Sequence, residues 1–411
     1  MAEILIKNVG AISSVNFVLN KLTVLIGPQS SGKSTIAKIL TYCQWLEKYV
    51  IIHQSLDDVD YGFVKDTLVD YFKLNSYLND GFEVRYNGDA IDFLFKAPDK
   101  VEVSKTDGFG KMSVGKIAYI PVERNLVSFP NLPSMKMEYD YVREYVFDWL
   151  SIHNKYTKDN ALKLPNLNLK YYYDSNKGDL IELEDGKPIL LNEASSGIIS
   201  IVPLYVYVHY LTEWVYEHKD DISFTNRKNI RKSVLNELKK LTNRREVDEV
   251  IDNDDRQLMD YLLDVLPRLS NMSEYTKESL PLKNLIDLQE RLSVPHYSRI
   301  IIEEPEINLD PYTQFSLIND LLSIINLNRD RVLLTTHSPY ILNHLNLLFK
   351  AFDKNTVIEG ANLNYDDVSV YATTIGGIKD LKVKNAHLIN PEYLSAPLEE
   401  IYLHYDIINQ G

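Results

Sequence analysis

The sequence predicts an α/β fold built on a buried parallel sheet. Three observations carry that expectation. Residues 22–26, 299–302 and 331–334 are near-continuous apolar runs, each followed by a helical pattern. Strands covered on both faces read this way. Between the first run and its helix lies a turn that opens at Gly27 and closes at Gly32. Finally, 45% apolar and 25% charged residues in a chain of 411 is an ordinary globular mixture. Length alone suggests two or three domains. The chain has no repeat, low-complexity tract or Pro/Gly-rich linker. It therefore reads as one elaborated α/β domain with insertions.

The elements follow in order. Residues 3–8, 15–19 and 22–26 are expected strands, and 33–52 a helix, with a second helix near 64–72. Residues 83–105 alternate and carry Asn87-Gly88 and Pro98-Asp99, so they predict β-hairpins, an antiparallel subdomain. A strand is expected at 116–121 and a helix at 137–153. Residues 168–174 and 179–191 read as strands joined at Asn176–Gly178 and at Asp185-Gly186. From 196 to about 291 the pattern is largely helical. A late strand at 368–372 and a closing helix at 391–409 complete the expected fold. The run Ile198 to Leu211 contains Pro203 and His209. It is short for a bilayer span and predicts a buried helix.

Charge and cysteine content exclude several classes. There are 44 basic and 58 acidic residues, a net of −14, which argues against a protein that coats nucleic acid broadly. The single cysteine, Cys43, excludes a disulfide framework within the chain and fits a reducing compartment. The opening Met-Ala-Glu-Ile-Leu-Ile-Lys is not a signal peptide. The expectation is a cytoplasmic protein without a membrane segment.

Gly27-Pro28-Gln29-Ser30-Ser31-Gly32-Lys33-Ser34 fits G-x-x-x-x-G-K-[ST], with Thr35 next, a strand before and a helix after. Glycines allow the tight turn, so that backbone N–H groups converge on phosphate oxygens. Lys33 is expected to reach the β- and γ-phosphates, and Ser34 to ligate Mg²⁺. Far downstream, Arg299–Ile302 ends in Glu303-Glu304-Pro305-Glu306. Ligands sit at such strand ends in parallel sheets. Glu303 is expected in the Mg²⁺ shell, and Glu304 is expected to orient or deprotonate the attacking water. A third run, 331–336, ends in His337-Ser338-Pro339, where His337 could hydrogen-bond a γ-phosphate or its water. No guanine-reading Asn/Thr-Lys-x-Asp motif occurs, although these motifs alone leave ATP and GTP both open.

These motifs, in this order, resemble the ABC-type ATPases of the SMC/RecF/OLD group, and OLD-like AAA ATPases in particular. About 270 residues separate the loop from the acid pair, a spacing similar to that group. Ile6-Lys7-Asn8-Val9-Gly10 resembles its first strand, and Tyr119-Ile120-Pro121-Val122-Glu123-Arg124 a segment of OLD-like ATPases, with Arg124 a phosphate or switch contact. The resemblance covers most of 1–204 and 298–375. It implies a signature loop, with Glu193-Ala194-Ser195-Ser196-Gly197-Ile198 as the segment similar to Leu-Ser-Gly-Gly-Gln/Glu. Ser195, Ser196 and Gly197 would act in trans on the partner's nucleotide. An ordinary Ser-Ser helix cap is the alternative. Ser196 and Ile198 depart from the pattern, and Glu303 stands where many such proteins have Asp. Asn308 and Asp310 match the loop on the dimer seam. The resemblance thus implies an ATP sandwich: two subunits head to tail, closed by ATP and released by hydrolysis.

It also frames the domains: an ATPase head in two parts, 1–203 and 299–411, around a helical insertion at 204–298. Within the insertion, residues 227–245 hold Arg227, Lys228, Arg231, Lys232, Lys239, Lys240, Arg244 and Arg245. A solvated helix face is favoured over a nucleic-acid surface there. OLD proteins continue into a TOPRIM nuclease. No Gly-Glu and Asp-x-Asp pair follows His337, so no nuclease is expected in this chain. The chain is similar in that respect to the ATPase half of two-component anti-phage systems such as PARIS. This implies a homodimer or higher homo-oligomer controlling a separate effector protein, with a TOPRIM nuclease as one form of it. The alternatives are an ATP-stabilised scaffold that sequesters a partner and a RecF-like DNA-repair ATPase; DNA binding is the less favoured.

Overall fold

The computed structural model describes residues 2–129, 132, 135–218, 288, 291–292, 294–374 and 376–410. The basic stretch 227–245 and most of the expected insertion lie outside the described residues.

Three sheets organise the head. Strands β1 (Glu3–Val9), β2 (Ile12–Val18) and β3 (Leu22–Ile26) come first, and helix α1 (Lys33–His53) follows β3. Strand β2 starts three residues earlier than the sequence suggests. Val9 pairs with Ile12 across a turn in which Asn8 and Gly10 take positive φ. The expected helix at 64–72 is Tyr61–Val64 followed by a wider π turn over Lys65–Asp70. The hairpins are β4 (Leu78–Asn87), β5 (Ile91–Lys96) and β6 (Lys100–Lys105), which join β1 and β2 in one antiparallel sheet, order β2-β1-β4-β5-β6.

Strand β7 (Lys116–Ile120) leads to helix α2 (Tyr141–Ile152), whose first turn is capped by the Asp140 carboxylate. A second antiparallel sheet holds β8 (Leu162–Leu164), β9 (Leu169–Asp174), β10 (Gly178–Glu182) and β11 (Pro188–Leu190). The junction expected at Asp185-Gly186 separates β10 from β11, and Gly186 takes φ 74° there.

Helix α3 (Ser196–His209) continues through a π turn at Tyr210–Trp214 to Glu217. By length and composition this 22-residue span is enough to cross a membrane, so the short-helix expectation needs correcting; 72% of its most apolar window is nevertheless buried in the head. The described part of the expected insertion, 204–218, is therefore the continuation of a core helix.

The remaining elements are β12 (Ser298–Glu303), α4 (Pro311–Ile324), β13 (Arg331–Thr336), α5 (Pro339–Asp353), β14 (Val368–Thr374), β15 (Gly377–Asp380) and α6 (Pro391–Gln410). The main sheet runs β15-β14-β3-β13-β12-β7. All its pairings are parallel except that of β15. Its central strands bury both faces. Val24, Ile26, Ile300, Ile302, Val332 and Leu334 enter one core. Leu25, Ile301 and Leu333 enter the other, shared with α1 and the first antiparallel sheet. That is why these strands read as unbroken apolar runs.

Candidate nucleotide site

Three neighbouring strands, β3, β13 and β12, deliver the site residues to one edge of the sheet. The loop after β3 is shaped by close approach. A Cβ on Gly27 would lie 2.2 Å from Thr373 Oγ1 and 2.5 Å from its carbonyl oxygen. Gly32 has φ 92°, and a Cβ there would lie 2.5 Å from Ile12 Cγ1. Both positions therefore demand glycine. Ser31 anchors the turn, its Oγ 2.7 Å from Thr373 Oγ1 and donating to Pro28 O at 2.8 Å. Lys33 opens α1, and its Nζ donates to Gly27 O and Pro28 O, both at 2.9 Å. Burial lowers the Lys33 pKa, while Glu304, Glu306 and Glu303 nearby oppose that shift. The ammonium is thus held across the loop and faces carboxylates that favour its charge.

Strand β12 brings the acids. Glu303 is buried, and its Oε1 has no hydrogen-bond partner. Burial raises its pKa, and the Ser34 hydroxyl works against that rise. An orphaned carboxylate oxygen beside a hydroxyl fits a Mg²⁺ ion, which takes few protein ligands and keeps waters and phosphate oxygens. Ser34 and Glu303 are the residues that would hold it. When bound, the ion neutralises phosphate charge. Among the described residues no cluster of three or more His, Cys, Asp or Glu forms a metal cage.

Glu304 follows with φ 41°, an uncommon backbone for a residue with a Cβ. Two bonds hold it there. Its N–H donates to Thr335 O at 3.0 Å, and its carbonyl accepts from Arg124 Nη2 at 2.7 Å. Its carboxylate Oε1 lies 3.1 Å from His337 Nε2. Glu306 fixes the other side of that pair. Its Oε1 accepts from the His337 N–H at 2.6 Å and from Thr336 Oγ1 at 2.7 Å. The third acid of Glu-Glu-Pro-Glu therefore sets the backbone that carries the histidine. The sequence reading missed this role, although the acid stood in plain view.

Arg124 corrects an expectation. It is fully buried and cannot offer a free guanidinium to phosphate. It donates to four backbone carbonyls: Ser200 at 3.1 Å, Pro121 at 3.3 Å, Glu303 at 2.8 Å and Glu304 at 2.7 Å. Burial lowers its pKa. It ties the acid strand end to the first turns of α3.

The segment 195–197 stands apart from the loop. Ser195 caps α3, its Oγ accepting from the Ile198 N–H at 3.4 Å. Ser195 and Ser196 are exposed. Gly197 packs against the seam loop, where a Cβ would lie 3.3 Å from Asn308 O and from Leu309 Cδ2. Asn308 has φ 61°, and its Nδ2 donates to Ser200 Oγ at 3.0 Å, as does Asn125 Nδ2 at 3.1 Å. Asp310 caps α4, accepting from the Tyr312 N–H at 2.9 Å and the Thr313 N–H at 3.3 Å. Among the described residues no hydrogen bond joins 195–197 to 27–35. Within one chain the structure brings together Lys33, Ser34, Glu303, Glu304 and His337, leaves Ser195 and Ser196 facing outward, and sets Gly197 against the 308–309 loop.

The chain is similar to several known proteins. Residues 212–342 match the family model of the AAA ATPase domain, a stretch that contains Glu303, Glu304 and His337. Among solved structures, the SMC head domain from Thermotoga maritima is similar at 10% identity, covering 93% of this chain and 98% of its own, with a TM-score of 0.39. The recombination mediator RecF bound to an ATP analogue is similar at 12% identity, 92% and 97% coverage and a TM-score of 0.30. An ATP-binding cassette of an ABC transporter in its ADP conformation is similar at 13% identity, 98% and 99% coverage and a TM-score of 0.32. No curated protein matches the sequence. The strand order and the motif at each strand end describe an α/β P-loop NTPase.

Proposed function

We propose that this chain is a Mg²⁺-dependent ATPase that works as a nucleotide-driven oligomeric switch. The observation that carries the reading is the Glu304–His337 pair, 3.1 Å apart at a strand end adjoining the strand that feeds the phosphate loop. ATP phosphates sit in loop 27–34 and meet Lys33. Glu304 accepts a proton from the attacking water or orients it, and His337 holds the carboxylate and touches the γ-phosphate. Two copies pair head to tail. Each nucleotide is then covered by the partner's Ser195, Ser196 and Gly197, with Asn308 and Asp310 on the seam. The outward-facing cap of α3 supports this half of the reading, because a helix N-terminus favours an anion.

The closed pair regulates a separate effector protein in the cytoplasm, in the manner of a bacterial anti-phage system. That extension rests on the resemblance to OLD-like and PARIS ATPases. The test is the solution mass of Glu304→Gln by light scattering, with and without Mg-ATP. Mass should double with Mg-ATP. A mass unchanged by Mg-ATP would overturn the switch.

A further inference from the structure

A cavity of about 180 Å³ is enclosed by α1, α2, α3, β7 and the segment that follows the π turn at Lys65–Asp70. It adjoins the acid strand, because Tyr119 on its wall pairs with Ile301 in the parallel register of β7 and β12. Sites for drug-sized ligands occupy roughly 300–1,000 Å³, so this one suits a small head group.

Its wall is mostly aromatic. The Tyr119 ring stands at 89° to Phe72 and at 80° to Tyr141, with centroids 5.8 and 5.4 Å away. Ring faces carry negative charge density and attract cations. The chain already uses one of these rings in that way, since Lys38 Nζ lies 4.2 Å from the Tyr141 centroid.

The polar groups on the wall select the sign and the donors of a ligand. Glu144 and Asp148 line it, and no Lys, Arg or His does. The two acids are four residues apart on α2 and share one helix face, where like charges repel. Asp148 Oδ2 accepts from the Tyr207 hydroxyl. Burial raises the Asp148 pKa; that bond opposes the rise, as do Lys116 and Lys48, neither of them on the wall. The hydroxyls of Tyr119 and Tyr145 are buried with no hydrogen-bond partner among the described residues, whereas buried polar groups are ordinarily paired. The wall thus offers ring faces, carboxylates and unused hydroxyl oxygens, and what complements all three is a positive charge that carries N–H groups.

We propose that this cavity binds a protonated primary amine, its alkyl chain against the rings and its ammonium donating to Asp148 and the tyrosine hydroxyls. A free small amine and the tip of a lysine side chain from another protein share that chemistry, and the test separates them.

The test is isothermal titration calorimetry of the full chain, free of nucleotide, with n-butylammonium, N-acetyl-lysinamide and neutral 1-butanol. Butylammonium should bind with a Kd below about 1 mM. The alcohol, alike in shape but uncharged, should bind at least about tenfold more weakly. Glu144→Gln/Asp148→Asn keeps an acceptor for Tyr207 and should weaken butylammonium by about tenfold or more. Lysinamide within about tenfold of butylammonium assigns the site to a partner's lysine, and weaker lysinamide binding assigns it to a free amine. A Kd above about 1 mM for both amines would overturn the proposal. So would 1-butanol binding as tightly as the amine, a comparison made on wild type and independent of how the variant folds, or a folded variant that keeps full affinity. Because no nucleotide is present, these results stand apart from whether the chain hydrolyses ATP.

Discussion

The two nucleotide-facing regions of this head are built differently. The phosphate loop and acid strand form a finished surface. Buried strands set its position, Gly27 and Gly32 set its turns, and Glu306 and Arg124 hold the backbone around Glu304 and His337. The segment at Ser195–Gly197 is a helix cap on open surface. In the proposed function the first region acts on a nucleotide within one chain, and the second acts only on the nucleotide of another copy. Between them runs a rigid link. Arg124 joins the acid strand to Ser200, and Asn308 and Asn125 meet the Ser200 hydroxyl.

Several changes would break or sharpen this contrast. The largest effect belongs to the finished surface. Glu304→Gln should lower ATP turnover by about 10²–10³-fold, while binding of a fluorescent ATP analogue is kept; single-turnover kinetics separates the two. Next comes the link. Arg124→Met removes the guanidinium bonds to four backbone carbonyls, of which Pro121 O keeps the N–H of residue 124 at 3.3 Å, and should cost about 3 kcal/mol in urea unfolding. Turnover should fall too, because Glu304 loses one of the two bonds that hold its backbone.

The open surface should respond more weakly in stability and more selectively in function. Ser195→Ala removes a cap worth about 1 kcal/mol, whereas Ser195→Asn retains capping. If both abolish ATP-dependent doubling of mass, the hydroxyl is read by the partner's nucleotide; rescue by Asn alone would mean that only the cap matters.

The smallest effect is Glu303→Gln without nucleotide. Glu303's pKa is raised in the folded head. The unfolded chain therefore loses that proton first as pH rises through the ordinary glutamate range, which costs native stability. The variant should melt about 1–2 °C higher at neutral pH, with the gap closing toward pH 4. It should also lose Mg²⁺-dependent stabilisation by ATP.

Much of this was legible in the sequence. The loop 27–34, the pair Glu303-Glu304 and His337 each end an apolar strand, and local pattern is enough to find them. Element boundaries were less legible. The junction at Asp185-Gly186 was readable, but β2 starts earlier than its composition suggests, because pairing partners and not composition decide register. Arg124 was misread for a related reason. An arginine after a strand near a phosphate site looks free, yet its acceptors are carbonyls 3 to 180 residues away. Thr373 was missed because nothing local to 368–374 signals that its hydroxyl would meet Ser31.

The sequence by itself determined the fold class, the nucleotide-binding turn and the chemical identity of the acids and histidine. Those depend on short-range sterics and on which residue types can do the chemistry. Only the tertiary structure decided which groups are spent on the protein's own backbone and which remain open to a nucleotide or another chain. That distinction is made by burial. A polar group removed from water must be satisfied by whatever the fold brings beside it. Arg124 and the Oε1 of Glu306 are satisfied by chain segments that meet only in the folded protein, Glu303 Oε1 and Glu306 Oε2 are buried without a partner among the described residues, and Ser195 is left at the surface.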